Sequence, residues 1–116
     1  MTLVAMVQGF YFLITGVWPL VSMATFQKVT GPKSDHWLVK TVGIIVAVIG
    51  LGLIISGVSG HFTPEIILIA IGSATGLAGI DVIYVSKRVI SPIYLLDALA
   101  EVVLILWWAV SLLWSQ

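Results

Sequence analysis

The chain has 116 residues, 60% of them hydrophobic and 9% charged, with no cysteine and a formal net charge of zero. A soluble domain carries about 25% charged residues, so this chain cannot clothe itself in a water-facing surface, and it reads as an integral membrane protein. The balanced charge and the lack of a basic patch argue against a nucleic-acid partner. The absence of cysteine removes disulfides, thiolate metal sites and thiol chemistry.

Four segments reach the roughly 20 apolar residues that a span requires, at 2–26, 37–58, 64–86 and 92–114. The links between them are about ten, five and five residues long, and such short links place consecutive helices side by side and antiparallel. The expected architecture is all-α: an antiparallel four-helix bundle of four transmembrane helices, forming one domain over residues 1–116.

The first segment lacks a positive n-region and a small-residue cleavage pattern, so it is expected to stay as a membrane helix rather than be removed as a signal. Within it, Pro19 leaves the Thr15 carbonyl without its usual donor and predicts a kink. Gln8, a lone amide in apolar surroundings, is expected to hydrogen-bond to another helix. Ser34 and Asp35 precede the second segment. Its Gly43, Ala47 and Gly50 recur at helical spacing, as do Gly72, Gly76 and Gly79 in the third. Such small-residue faces let membrane helices approach closely and serve as seams within the bundle or between two copies of the chain. Thr63-Pro64-Glu65 and Ser91-Pro92 open the third and fourth segments, each with a capping hydroxyl followed by proline. Glu65 is simplest as a first-turn acid favoured by the helix dipole. An offset of sixty residues aligns Thr15-Gly16 with Thr75-Gly76 and Lys28 with Arg88, a faint signature of two parallel hairpins. The acids do not repeat: Asp97 falls on Trp37 and Glu101 on Thr41.

All five Lys and Arg residues lie at one expected membrane face: Lys28, Lys33 and Lys40 around the first link, and Lys87 and Arg88 in the third. The positive-inside rule puts links 27–36 and 87–91 in the cytoplasm and both termini outside, with the plasma (inner) membrane as the expected location. Trp37 and Trp114 fall at opposite interfaces, as aromatic belt residues do.

The fourth segment carries Asp97 and Glu101 well inside, one helical turn apart on one face. At about 1.5 Å per residue, Asp97 lies roughly 7–8 Å below the cytoplasmic surface and Glu101 roughly 13–14 Å, with Asp81 of the third segment at about 9 Å. Carboxylates in a hydrocarbon slab are costly and belong inside a bundle. Lys40 enters from the same side, Tyr84 and Tyr94 each stand three positions from an aspartate, and Trp18 and Trp108 are placed to wall the site beyond Glu101. Three acids against one lysine leave a surplus of negative charge, so one or two acids should hold a proton or a cation should sit among them.

The candidate ligand-binding set is therefore Asp81, Asp97, Glu101, Tyr84, Tyr94, Lys40, Trp18 and Trp108, with no metal site, because no histidine joins the acids at their depth. His36 and His61 lie at opposite surfaces. No cofactor is expected. The favoured function is binding or transport of a proton, a cation or an organic cation by a small membrane protein, with the lipid bilayer as its surroundings and a homodimer through the glycine faces. The alternatives are an intramembrane lipid-binding protein, a proton-shuttling enzyme on a hydrophobic substrate, or a structural subunit of a membrane complex.

Overall fold

Inside a bilayer no water is at hand to satisfy backbone N–H and C=O groups, so an apolar chain of this kind must close its hydrogen bonds within each segment. The computed structural model describes residues 1–114 and obeys that demand. It contains α1 (Thr2–Val21), α2 (Met23–Thr30), α3 (His36–Ser59), α4 (Pro64–Ser86) and α5 (Tyr94–Trp114). Helices α1, α3, α4 and α5 are long and apolar enough to cross a membrane. Their outer faces present Ile14, Val48, Leu68, Leu99 and Leu106, all more than half exposed. That surface suits lipid rather than water. The protein is an all-α membrane bundle, as its composition requires.

Local sequence explains most of the helix ends. Thr63 caps α4, its Oγ1 accepting from the Ile66 N–H at 3.3 Å, with Pro64 at the first helical position. Gly60 ends α3 in the left-handed conformation at φ 75°, a backbone state that costs glycine nothing. The fourth span begins at Tyr94 rather than Pro92. The Ser91 hydroxyl accepts from the Ile93 N–H, and the tight bonds Tyr94 N–H to Ser91 O and Leu95 N–H to Pro92 O form the turn before the helix settles.

The first span differs from expectation. It was expected as one helix over 2–26 with a bend at Pro19, but α1 runs through Pro19 to Val21 and the chain breaks at Ser22. Serine is a strong N-cap. Here its hydroxyl accepts from the Thr25 side chain at 2.8 Å and the Thr25 N–H at 3.4 Å, starting the short α2. Pro19 is buried against α3, beside Gly43.

Two antiparallel hairpins make up the bundle: α1 packs along α3 and α4 along α5, while α3 meets α4, and α1 meets α5, over much less length. The α1–α3 seam is the glycine seam anticipated from Gly43, Ala47 and Gly50. A Cβ placed on Gly16 would stand 2.5 Å from the Gly43 carbonyl oxygen, and one on Gly50 would stand 2.6 Å from the Gly9 carbonyl oxygen. The backbones are therefore in contact, with no side chain free to yield. On α4 the glycines form no seam within the chain. Gly72, Gly76 and Gly79 have nothing within 4 Å of where a Cβ would be, and the inward face is instead Ala70, Ala74, Ala78 and Asp81. The helix orients by its acid: turning Asp81 inward carries the alanines with it and leaves the glycines on the outside. One hydrophobic cluster of Val4, Ala5, Leu53, Ala70, Leu104 and Trp108 joins all four spans.

Candidate functional site

Helix α5 buries Ala98, Glu101, Leu104 and Trp108 along one stripe, at the three- and four-residue steps that define a helix face. Opposite it stand the alanine face of α4, ending in Asp81, and the α1 residues Val4, Gln8 and Phe12. Glu101 is 0% exposed and Asp81 5%; Asp97 is half-buried. The structure thus brings Asp81, Asp97 and Glu101 together. Asp81 lies within hydrogen-bonding reach of Asp97, and among the described residues the charges acting on Glu101 are those of Asp97 and Asp81.

Partners for these acids are few. Tyr11 Oη donates to Asp97 Oδ1. Among the described residues, Asp81 Oδ2 and both oxygens of Glu101 are buried with no hydrogen-bond partner. Two carboxyl groups in hydrogen-bonding reach form a bond only when one of them carries the proton. A Glu101 carboxylate would be a bare ion in an apolar interior, a state that costs far more than the neutral acid.

Toward the other end of the bundle the polar atoms are satisfied. Gln8 Nε2 donates to the Ala70 carbonyl at 2.9 Å, and Trp108 Nε1 donates to Gln8 Oε1 at 2.6 Å. One glutamine therefore ties α1 to both α4 and α5, and the cross-helix bond expected of it is present. Trp108 is fully buried and meets Phe62 edge-on at 6.1 Å between ring centroids.

Four of the anticipated site residues lie elsewhere. Lys40 is exposed and leaves the acids without a counter-charge, because its flexible stem reaches outward at the interface. Tyr84 is 37% exposed, with the Lys87 ammonium 5.8 Å from its ring. Tyr94 sits at the loop end under Lys33 Nζ, 5.1 Å from the ring centroid. Trp18 turns to α2, where its indole N–H donates to Thr25 Oγ1 at 2.9 Å and its ring meets Phe26 edge-on. The phenol that does reach an aspartate is Tyr11, which sequence reasoning passed over. Its signal was present: Gln8, Tyr11 and Thr15 are polar residues at steps of three and four in an otherwise apolar span, hence on one face.

Two cavities of the protein are not lined by these three acids. A lipid-side groove of about 390 Å³ between α1 and α5 is lined by Val7, Tyr11, Leu96, Leu99, Ala100, Val103, Leu104 and Trp107. The other, larger cavity lies among the loops at the basic end. Among the described residues, no group of three His, Cys, Asp or Glu side chains is placed to hold a metal ion. Comparison of the chain with family models, with curated proteins and with solved structures returned no match.

Proposed function

We propose that Asp81, Asp97 and Glu101 form an intramembrane proton-binding site, and that this small membrane protein handles protons across, or within, the bilayer. One observation carries the reading: among the described residues both carboxylate oxygens of Glu101 are buried without a partner, and the charges acting on them are those of two further acids. A buried carboxyl group must be paired or neutral. Among cations the proton alone needs no cavity, and neither the groove between α1 and α5 nor the one among the basic-end loops is lined by these three acids. Asp97 is the partly exposed member of the set and touches Tyr11, which also lines the lipid-side groove. It is the natural point of entry, with Glu101 as the deep store.

The same reading places the basic links in the cytoplasm by charge bias, so the site opens toward the cytoplasmic half. It pairs two copies of the chain through the open Gly72–Gly76 face of α4, a small-residue spacing suited to close helix contact.

The test is infrared spectroscopy of the protein in lipid at neutral pH, paired with proton flux in proteoliposomes carrying a trapped pH dye. The wild type should show the band of a protonated, dehydrated carboxyl group, weakened in Glu101→Gln. Flux under an imposed gradient should vanish in the Glu101→Gln, Asp97→Asn double variant. An unchanged carboxyl band in that double variant would remove the proposal.

A further inference from the structure

Every lysine and arginine of the protein stands at one end of the bundle, and the loops there line an open cavity of about 720 Å³, within the size range of small-molecule sites, roughly 300–1,000 Å³. Residues 30–35 form one wall and 88–91 the other. Lys33 and Arg88 bring positive charge, Ser91 a hydroxyl, and Leu38 and Val89 an apolar lining. Asp35 is the one acid lining it, so two cations against one anion leave the wall one charge positive. The Asp35 side chain makes no capping bond to α3.

Two features hold the cations in place. Lys33 Nζ donates to the Thr30 carbonyl at 3.1 Å and the Gly31 carbonyl at 3.0 Å while resting over the Tyr94 ring. An ammonium has three donors, so one remains for a ligand. Arg88 occupies the left-handed backbone region at φ 58°. It is the residue after the α4 cap in a closing motif, with Arg88 N–H bonded to Val85 O at 3.0 Å and Val89 N–H to Tyr84 O at 2.9 Å. Glycine is the usual occupant of that position. An arginine accepts backbone strain there, and such strain in a protein is commonly associated with a site of function.

We propose that this cavity binds the phosphate of an anionic phospholipid headgroup, with Lys33 and Arg88 on the phosphate oxygens and Leu38 and Val89 against the glycerol and upper acyl carbons. A lipid, rather than free phosphate, suits a wall that is part cationic and part apolar, set where the helices leave the membrane. Basic pockets between transmembrane helices are a known way to hold such headgroups. The inference does not depend on the acid cluster.

The experiment compares thermal unfolding in nanodiscs of phosphatidylcholine with and without phosphatidylglycerol, and counts retained phosphatidylglycerol by native mass spectrometry. Phosphatidylglycerol should raise the unfolding temperature of the wild type. Arg88→Gly should unfold at a higher temperature than wild type in pure phosphatidylcholine, because the strain is gone, yet bind phosphatidylglycerol about tenfold more weakly, as for a lost charge-assisted contact. Lys33→Met should weaken binding similarly, and Lys40→Gln, exposed and outside the cavity, should leave it unchanged. Equal loss in Lys40→Gln, or full binding in both Arg88→Gly and Lys33→Met, overturns the cavity as the site. Stabilisation by inorganic phosphate in phosphatidylcholine alone, to the same extent, overturns the lipid as its ligand.

Discussion

The α1–α3 and α4–α5 hairpins are both antiparallel pairs of membrane-length helices, the first joined through α2 and the second by a short turn, but they are held together differently. In the first, glycines bring backbone onto backbone, so that Gly16 meets Gly43 and Gly9 meets Gly50. In the second, alanines space the helices, and carboxyl groups fill part of the interface: Ala70, Ala74, Ala78 and Asp81 face Ala98 and Glu101. The first hairpin is a close-packed frame. The second gives up packing to keep acids inside, and α1 supplies the polar groups, Gln8 and Tyr11, that tie it to the frame. In lipid, helix contact gains nothing from excluding water. Close approach and hydrogen bonds must do the joining, and each hairpin relies mainly on one of them.

The contrast predicts a graded set of responses. The largest belongs to the frame. Gly16→Val should destabilise the protein by about 3 kcal/mol or more, beyond the ordinary range for overpacking, because the added carbons meet the Gly43 carbonyl and the Ala47 backbone rather than a side chain that can rotate. Reversible unfolding in micelles, followed by steric trapping, measures it. A middle effect belongs to the tie between the hairpins. Gln8→Leu removes the bond to the Ala70 carbonyl and strands the Trp108 N–H, at a cost of about 1–2 kcal/mol in a membrane. Trp108 fluorescence should shift as its indole loses its acceptor. The smallest is on the outer face of α4. Gly76→Leu meets open space and should change monomer stability by less than about 0.5 kcal/mol, while abolishing the pairing of copies seen by cross-linking in lipid. A large loss of monomer stability there would mean that the glycine face is a seam within one chain after all.

Much of this protein is legible from residue order. Four apolar runs mark the membrane helices, and Thr63 before Pro64 marks the start of α4, because capping and burial are local or nearly so; Ser91 before Pro92 marks the turn that leads into α5. The convergence of Asp81, Asp97 and Glu101 was also readable, since a short link forces α4 beside α5 and charges avoid lipid. The errors share one cause, which is rotation about a helix axis. Small residues occupy two faces of α4, one of glycine and one of alanine, and periodicity marks both as candidate seams. Tyr84 and Tyr94 lie three positions from the aspartates, but a step of three toward the helix end carried the Tyr84 ring to the surface and the Tyr94 ring under Lys33, while Tyr11 approached from a different helix.

Residue order, then, settled that the chain lives in a membrane, how many times it can cross, and that its acids gather on adjoining helices, because hydropathy, chain length and the cost of charge in hydrocarbon act on each segment alone. Which face of α4 turns inward, which phenol meets Asp97, and that Lys40 leaves Glu101 without a counter-charge were decided when the helices packed. Those outcomes depend on how four surfaces fit at once, and no single stretch of the chain contains that information.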